Sequence, residues 1–161
     1  MTENQHLDWD YKNPHILYFN VTSENIDLLG HVNNKVYLDW CELVSWDHSR
    51  FLGVDLKKYK ELKCACVVIK NNIEYLSSLF AGDEIAISTW ITKSDKKLRL
   101  SRLFQIIRIK NNKTVFRSSV DYVCISLENF KPKKMPLLFQ SSYIITAKNE
   151  RNKKSKQERF F

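Results

Sequence analysis

The segment Asp27-Leu28-Leu29-Gly30-His31-Val32-Asn33-Asn34, followed directly by Lys35-Val36-Tyr37-Leu38-Asp39-Trp40-Cys41-Glu42, decides the fold of this chain. Its first half is a polar loop, and its second half begins a helix that we expect to run from Asn34 to about Phe51. The polar residues of this helix form a narrow stripe that recurs every three or four positions, which is the helical period. A helix that is apolar around most of its circumference is expected to be covered on several sides.

The boundary between loop and helix is a candidate site for chemistry. Asn33 or Asn34 suits the N-cap, where a side-chain oxygen accepts an unpaired backbone N–H, and Gly53 can end the helix or the loop after it. Asp27 places a carboxylate before a helix N-terminus. The exposed N–H groups there can hold a developing negative charge while the carboxylate acts as nucleophile or general base.

The rest of the chain predicts an antiparallel sheet. Aromatic and β-branched residues indicate a first strand at His15–Val21, and a charged connector over 57–63 follows the helix. Turn signals then separate four further strands, which cover residues 66–75, 84–92, 98–109 and 114–127. We therefore predict an α+β domain in which one antiparallel sheet of about five strands wraps a long central helix.

Length and charge indicate one domain with two tails. We place a loose N-terminal segment at 1–13, the domain at 14–142 and a basic, disordered C-terminal tail at 143–161. Half of the net charge of +8 lies in Lys148–Phe161. The remaining basic residues are spread over the body without the interleaved aromatic residues of a nucleic-acid platform, so no nucleic-acid partner is expected.

Three further expectations concern location, metals and assembly. No apolar run is long enough to span a bilayer and no secretory signal is recognisable, so we expect a cytoplasmic protein. Cys41, Cys64, Cys66 and Cys124 are expected to be reduced and mostly buried, and their spacing predicts no metal site. A long final strand at the sheet edge would pair with a second copy, which predicts a two-fold homodimer.

The pattern Asp27-x-x-Gly30-His31-Val32-Asn33-Asn34-x-x-Tyr37-x-x-Trp40-x-Glu42 resembles the signature of the hotdog-fold thioesterases. The similarity is to the 4-hydroxybenzoyl-CoA thioesterase and acyl-CoA thioester hydrolase group. Gly82-Asp83-Glu84 and Asp121-Tyr122-Val123-Cys124-Ile125 are similar to later parts of that family, so the resemblance covers roughly residues 14–140. Asn25 departs from it, since many relatives carry a second acidic residue there.

The resemblance implies a hotdog fold, assembled as dimers or dimers of dimers, that hydrolyses an acyl-CoA thioester to free acid and CoA. It assigns the catalytic carboxylate to Asp27 and the N–H that polarises the carbonyl to the region of Asn34. Tyr37 and Trp40 are candidates for the core or for walls of the substrate pocket. The candidates for supporting roles are Gly30, His31 and Asn33. No cofactor is expected beyond the CoA of the substrate.

Two alternatives remain open at this point. The His-Val-Asn-Asn sequence is also similar to acyl-carrier-protein thioesterases, and an acidic carrier protein would be attracted to a basic surface. A non-catalytic hotdog module could instead bind acyl-CoA or a protein partner, because a fold does not fix a function. The residues also do not separate direct attack by the carboxylate, through a mixed anhydride, from activation of a water molecule.

Overall fold

The computed structural model describes residues 6–147 of the 161-residue chain. Five strands and three α-helices follow one another, together with short 3-10 turns at Ser23–Asn25 and Ile109–Asn111. The strands are β1 (His15–Asn20), β2 (Cys64–Tyr75), β3 (Glu84–Ser94), β4 (Arg99–Arg108) and β5 (Lys113–Ser126). The helices are α1 (Asn34–Phe51), α2 (Leu56–Leu62) and α3 (Leu137–Ser142).

The sheet holds α1 against its inner face. Its strand order is β1-β3-β4-β5-β2, and every neighbouring pair is antiparallel. The main core lies between helix and sheet, where apolar side chains of α1 meet those of the central strands. Its members include Val36, Tyr37, Trp40 and Val44 of α1 and Ile85, Ile87, Phe104, Ile106 and Phe116 of the sheet. The predicted fold class is therefore observed.

Helix α1 has the predicted bounds and a defined cap at each end. The Asn33 side chain is the N-cap and accepts the Lys35 N–H at 3.1 Å. After the helix, Gly53 adopts a φ of +87° and donates its N–H to the Arg50 carbonyl at 3.0 Å. Glycine takes this left-handed conformation without the steric cost that a Cβ would add. These local signals explain why the helix ends could be predicted.

The final strand does not lie at a sheet edge, so that prediction was wrong. β5 pairs with β4 on one side and with β2 on the other, which leaves β1 and β2 as the edges. The chain crosses over from β2 to β3 instead of forming a hairpin, and the buried Leu79 in this crossover accepts the Val32 N–H at 2.9 Å. On the β2 edge, Val68 and Ile69 are 57% and 49% exposed.

Of the segment 1–13 that was predicted to be loose, residues 6–13 are held in place, contrary to prediction, and residues 1–5 lie outside the described residues. Residues 6–13 lack regular secondary structure but lie across the outer face of the sheet. Asp10 forms a two-bond ion pair with Arg117 on β5, at 2.7 and 2.9 Å, and the Trp9 ring packs edge-on against Trp90 on β3. Trp90 is a large apolar side chain on the outer face of the sheet, so another segment has to cover it if it is to be buried. The polar composition of the N-terminal segment does not indicate that it packs there.

Two more segments differ from expectation. The charged connector forms helix α2, whose N-cap Asp55 accepts the Lys58 N–H at 2.9 Å. Residues 143–147, predicted to belong to a disordered tail, pack on the sheet, with Tyr143 fully buried and the Thr146 hydroxyl accepting the Ile91 N–H at 2.9 Å. The remainder of the predicted tail, 148–161, lies outside the described residues. No helix within residues 6–147 is long and apolar enough to cross a membrane.

Candidate active site

The loop that carries Asp27 folds into a narrow hairpin before α1. Ile26 and Val32 form an antiparallel bridge. The Asp27 N–H donates to the His31 carbonyl at 3.0 Å, and the Gly30 N–H donates to the Asp27 carbonyl at 3.1 Å. Residues opposite each other in such a pair lie about 5 Å apart, so the backbone of Asp27 runs alongside the residues that lead into the helix.

The Asp27 carboxylate is half-buried and has one free oxygen. Its Oδ1 accepts the Leu29 N–H at 2.8 Å, which stabilises the turn. Within residues 6–147 no ion pair includes Asp27, and its Oδ2 accepts no hydrogen bond. Leu28 and Leu29 at the tip are highly exposed. The carboxylate is therefore held in place without being neutralised by a cation.

Gly30 allows this turn to close. Its φ is +82°, in the left-handed region, and a Cβ built there would meet no atom within 4 Å. A side chain would therefore be opposed by backbone strain alone and not by a clash. The left-handed conformation of this turn therefore explains why the motif has a glycine at position 30.

The residues between the turn and the helix are tied to their neighbours through the backbone. The Asn33 N–H donates to the Asn25 carbonyl at 2.9 Å. His31 Nδ1 lies 3.0 Å from the Val32 carbonyl oxygen, which can only accept, so Nδ1 is the donor of this hydrogen bond. Asn25, the departure from the family pattern, accepts the Thr22 N–H through its Oδ1 at 2.9 Å.

The first turn of α1 leaves one backbone donor available. The Lys35 N–H is used by the Asn33 side chain, and the Val36 N–H donates to the Asn33 carbonyl at 2.9 Å. No acceptor within residues 6–147 pairs with the Asn34 N–H. Because this end of a helix also carries partial positive charge, the Asn34 N–H is a donor suited to an anion.

Tyr75 is a neighbour of this donor that the sequence did not reveal. It lies at the end of β2, is 44% exposed and donates its hydroxyl proton to the Asn34 carbonyl at 3.0 Å. Its ring packs edge-on against Tyr37 at 5.2 Å between centroids. No local pattern could indicate this contact, because it joins two elements that meet only in the folded chain.

Tyr37 and Trp40 lie in the core of the single chain. They are 3% and 5% exposed, and they stack on Phe116 and Phe19 respectively. Burial raises the pKa of the Tyr37 phenol, so the phenol stays protonated at neutral pH. Within one chain these residues form the inner support behind the helix start and not an open surface.

A second polar cluster lies near the other end of α1. Arg102 on β4 is 2% exposed and donates to His48 Nδ1 at 2.8 Å and to the Ser49 hydroxyl at 3.0 Å, with the Tyr143 ring below its guanidinium. Burial, and then the charge of Arg102, lower the pKa of His48 to about 3. His15, paired with Asp47, stacks on His48 with ring centroids 4.7 Å apart. His48 is therefore neutral at pH 7.

A cavity of about 520 Å³ opens where β3 ends and β4 begins, and it contains none of the predicted site residues. Its lining includes Lys93, Arg99, Tyr122 and Ile145. Within the described part of the chain, no three His, Cys, Asp or Glu side chains are grouped so that they could hold a metal ion.

The model of the thioesterase-like superfamily matches residues 21–142 of this chain. The chain belongs to that superfamily. The match covers α1, the sheet strands β2 to β5 and the Asp27 loop, so the predicted family and the predicted class, a thioester hydrolase, are confirmed. No match was found among curated proteins.

Solved structures of this superfamily's fold are similar across most of the chain. A 1,4-dihydroxy-2-naphthoyl-CoA thioesterase from Synechocystis is 17% identical with a TM-score of 0.72, covering 81% of this chain and 96% of its own. A hypothetical protein from Staphylococcus aureus in complex with CoA is 22% identical with a TM-score of 0.75, covering 82% of each chain. A probable thioesterase from Escherichia coli is 20% identical with a TM-score of 0.68, covering 81% and 99%. These likenesses confirm the hotdog fold.

Proposed function

We propose that this thioesterase hydrolyses acyl-CoA, with Asp27 as the catalytic carboxylate and the Asn34 N–H as the donor that polarises the thioester carbonyl. The observation that carries the proposal is that the hairpin with the Asp27 carboxylate leads directly into the start of α1, where the Asn34 N–H lies. The Asp27 carboxylate has no cation partner among the described residues, and the Asn34 N–H has no acceptor there. A thioester carbonyl placed between them would meet a carboxylate and a hydrogen-bond donor at once.

The chain's own groups account for each step of such a reaction. In one route Asp27 attacks the carbonyl carbon, the C–S bond breaks, the CoA thiolate leaves, and water then hydrolyses the resulting mixed anhydride to the free acid and the Asp27 carboxylate. In the other route Asp27 takes a proton from a water molecule that attacks the carbonyl carbon, and the CoA thiolate leaves as the C–S bond breaks. The Asn34 N–H stabilises the oxyanion, and one such donor contributes about 3–4 kcal/mol. Supporting roles fall to Gly30, which allows the turn, to Asn33, which caps the helix, and to His31, whose ring is hydrogen-bonded to the Val32 carbonyl. Because a thioester is electrophilic and its thiolate leaves readily, the route requires no further cofactor.

Coenzyme A is the carrier that the comparisons favour. The similar Synechocystis protein is a CoA thioesterase, and the similar Staphylococcus aureus protein was solved with CoA. The net charge of +8 would also attract the phosphates of the CoA moiety. An acidic acyl-carrier protein would benefit from the same charge, so it is the second candidate substrate.

The proposal includes a homodimer joined through the β2 edge. This strand has no partner on its outer side within residues 6–147, and its residues Val68 and Ile69 are half-exposed. Unpaired strand edges with apolar side chains favour pairing with another strand. A second copy would then cover the exposed surface near Tyr75 and enclose an acyl group, with Tyr37 and Trp40 as its inner support. Light scattering after size-exclusion chromatography tests the dimer, and two dimers could associate further.

The decisive experiment compares Asp27→Asn with a matched control. The asparagine side chain can still accept the Leu29 N–H, so the turn is kept while the charge is lost. Asp39→Asn removes a carboxylate from an exposed position on α1 and serves as the control. Thiol release from a panel of acyl-CoA thioesters should fall by about 100-fold or more for Asp27→Asn, the size of a general-base contribution, and stay unchanged for Asp39→Asn.

The same assay separates the alternatives. Faster turnover of acyl-carrier-protein thioesters than of the matching acyl-CoA would favour the carrier protein as substrate. Binding of acyl-CoA without any thiol release would identify a non-catalytic module. If the folded Asp27→Asn protein hydrolysed acyl-CoA as fast as wild type, the catalytic assignment would be wrong.

A further inference from the structure

Three of the four cysteines meet where β2 begins and β5 ends, away from the Asp27 loop. Cys66 on β2 lies directly opposite Cys124 on β5, and Cys64 lies opposite Ser126. Because residues paired across neighbouring strands project from the same face of the sheet, the Cys66 and Cys124 side chains share one face, and Cys64, two positions before Cys66, lies on that face as well. The proposed hydrolytic reaction uses none of them.

The backbone pattern shows that Cys66 and Cys124 form a close pair. The Cys124 N–H donates to the Leu98 carbonyl at 2.8 Å, and the Cys124 carbonyl accepts the Lys133 N–H at 3.0 Å. Both bonds point away from β2, so the Cys66–Cys124 pair is a non-hydrogen-bonded one. The two Cα atoms of such a pair are about 4.5 Å apart, inside the range of about 4.4–6.8 Å that a disulfide spans.

The three thiols differ in their access to solvent. Cys66 is half-buried, whereas Cys64 and Cys124 are fully buried. The contact with Cys66, and then burial, raise the pKa of Cys124, and burial raises the pKa of Cys64. Cys41 lies apart from them in α1, where burial also raises its pKa. An oxidant from solution therefore reaches Cys66 first.

We propose that Cys66 and Cys124 are a redox modification site, at which a peroxide produces a reversible disulfide between β2 and β5. The Cys66 sulfur attacks hydrogen peroxide, which forms an S–O bond, breaks the O–O bond and releases water. The Cys124 sulfur then attacks the Cys66 sulfenic acid, which forms the S–S bond and releases a second water. Two thiols are oxidised by two electrons in total, and one peroxide is reduced to two waters.

The bridge would fasten the edge strand β2 to its neighbour. Cys66 lies two positions before Val68 on this strand, so the disulfide would restrain the sheet edge that the proposed dimer uses. A dithiol reductant would return the two electrons and reopen the bridge. Cys64 lies on the same face but opposite Ser126, and its burial shields it from the oxidant, so it is not expected to replace Cys66.

The test uses the folded full-length protein with hydrogen peroxide as the only oxidant. After a timed exposure, remaining thiols are alkylated, and intact mass and peptide mapping identify the product. We expect the four thiols of the reduced chain to fall to two, with one intramolecular Cys66–Cys124 peptide pair that dithiothreitol reverses. Cys41→Ser and Cys64→Ser should still form the bridge, whereas Cys66→Ser and Cys124→Ser should not.

Several results of this test would contradict the proposal. Four free thiols after exposure, a bridge that joins two chains, or oxidation of Cys66 to a sulfinic acid without loss of the Cys124 thiol would each overturn the proposal. If Cys124→Ser fails to fold because its site is buried, Cys66→Ser at the half-buried position and the wild-type peptide map still decide the question. A bridge that appears only after unfolding in urea also counts against it.

Discussion

The buried His48 should make the stability of this protein depend on pH in a defined window. Its pKa is lowered from 6.5 to about 3, first by burial and then by the charge of Arg102. In the unfolded chain the imidazole regains its ordinary pKa. Between these two values the unfolded state binds a proton that the folded state does not, so the free energy of unfolding falls as the pH is lowered through this interval.

The size of the effect follows from the pKa difference. Each pKa unit corresponds to about 1.4 kcal/mol, so the full loss amounts to about 5 kcal/mol and is complete only at the low folded-state pKa. Lowering the pH from 6.5 to 4.5 covers two units and removes about 2.5 kcal/mol. His48 is only 4% exposed, so solvent screening does little to reduce this value.

The matched variant is His48→Asn. Asparagine can place its Oδ1 where His48 Nδ1 accepts the Arg102 N–H, and it does not titrate. Urea unfolding at several pH values, at one protein concentration, gives the free energy of unfolding for both proteins. As the pH is lowered, the free energy of unfolding should fall more steeply for the wild type than for His48→Asn, because unfolding of the wild type takes up about one additional proton per chain. The carboxylates that both proteins share contribute equally to the two curves, so they cancel when one curve is subtracted from the other.

Parallel curves for wild type and His48→Asn between pH 6.5 and 4.5 would refute this reasoning. So would an NMR titration of the folded protein in which His48 takes up a proton near pH 6.5. Either result would mean that the cluster around Arg102 accommodates a second positive charge.

Two further predictions concern the candidate site. Gly30→Ala should lower the free energy of unfolding by about 1 kcal/mol, because alanine is disfavoured in the left-handed conformation even though its Cβ would clash with no atom. An unchanged urea midpoint would contradict this prediction. Tyr75→Phe removes the hydroxyl bond to the Asn34 carbonyl. It should lower kcat for acyl-CoA several-fold while stability changes by about 1 kcal/mol or less. Tyr18→Phe, at a 64% exposed position, is its control, and equal kcat values for the two variants would argue against a positioning role.

The parts of the fold that depend on neighbouring residues could be predicted from the sequence. Helix α1 has the expected bounds because its polar stripe, its Asn33 cap and the Gly53 signal all lie within or beside the segment itself. Strand alternation and turn residues likewise indicated five strands in the right order along the chain. The α2 helix was missed because its charged surface hides its single buried residue, Tyr59.

The candidate site, too, could be predicted from the sequence only in part. Asp27, Gly30 and Asn33 stand close together along the chain, so their motif is recognisable from the residues alone. The same residues do not indicate whether the Asp27 carboxylate is free or held in an ion pair. Tyr75 could not be found at all, since its partner Asn34 lies on another element.

The sequence by itself determined the helix, its caps, the strands and the family, because each depends on periodicity or on residues a few positions apart. Only the tertiary structure decided that β2 and not β5 forms the second sheet edge beside β1, that residues 6–13 cover the outer face, and that Cys66 pairs with Cys124. These features are contacts between distant segments. They are selected by the burial of whole faces and by strand pairing across the sheet, which no local pattern encodes.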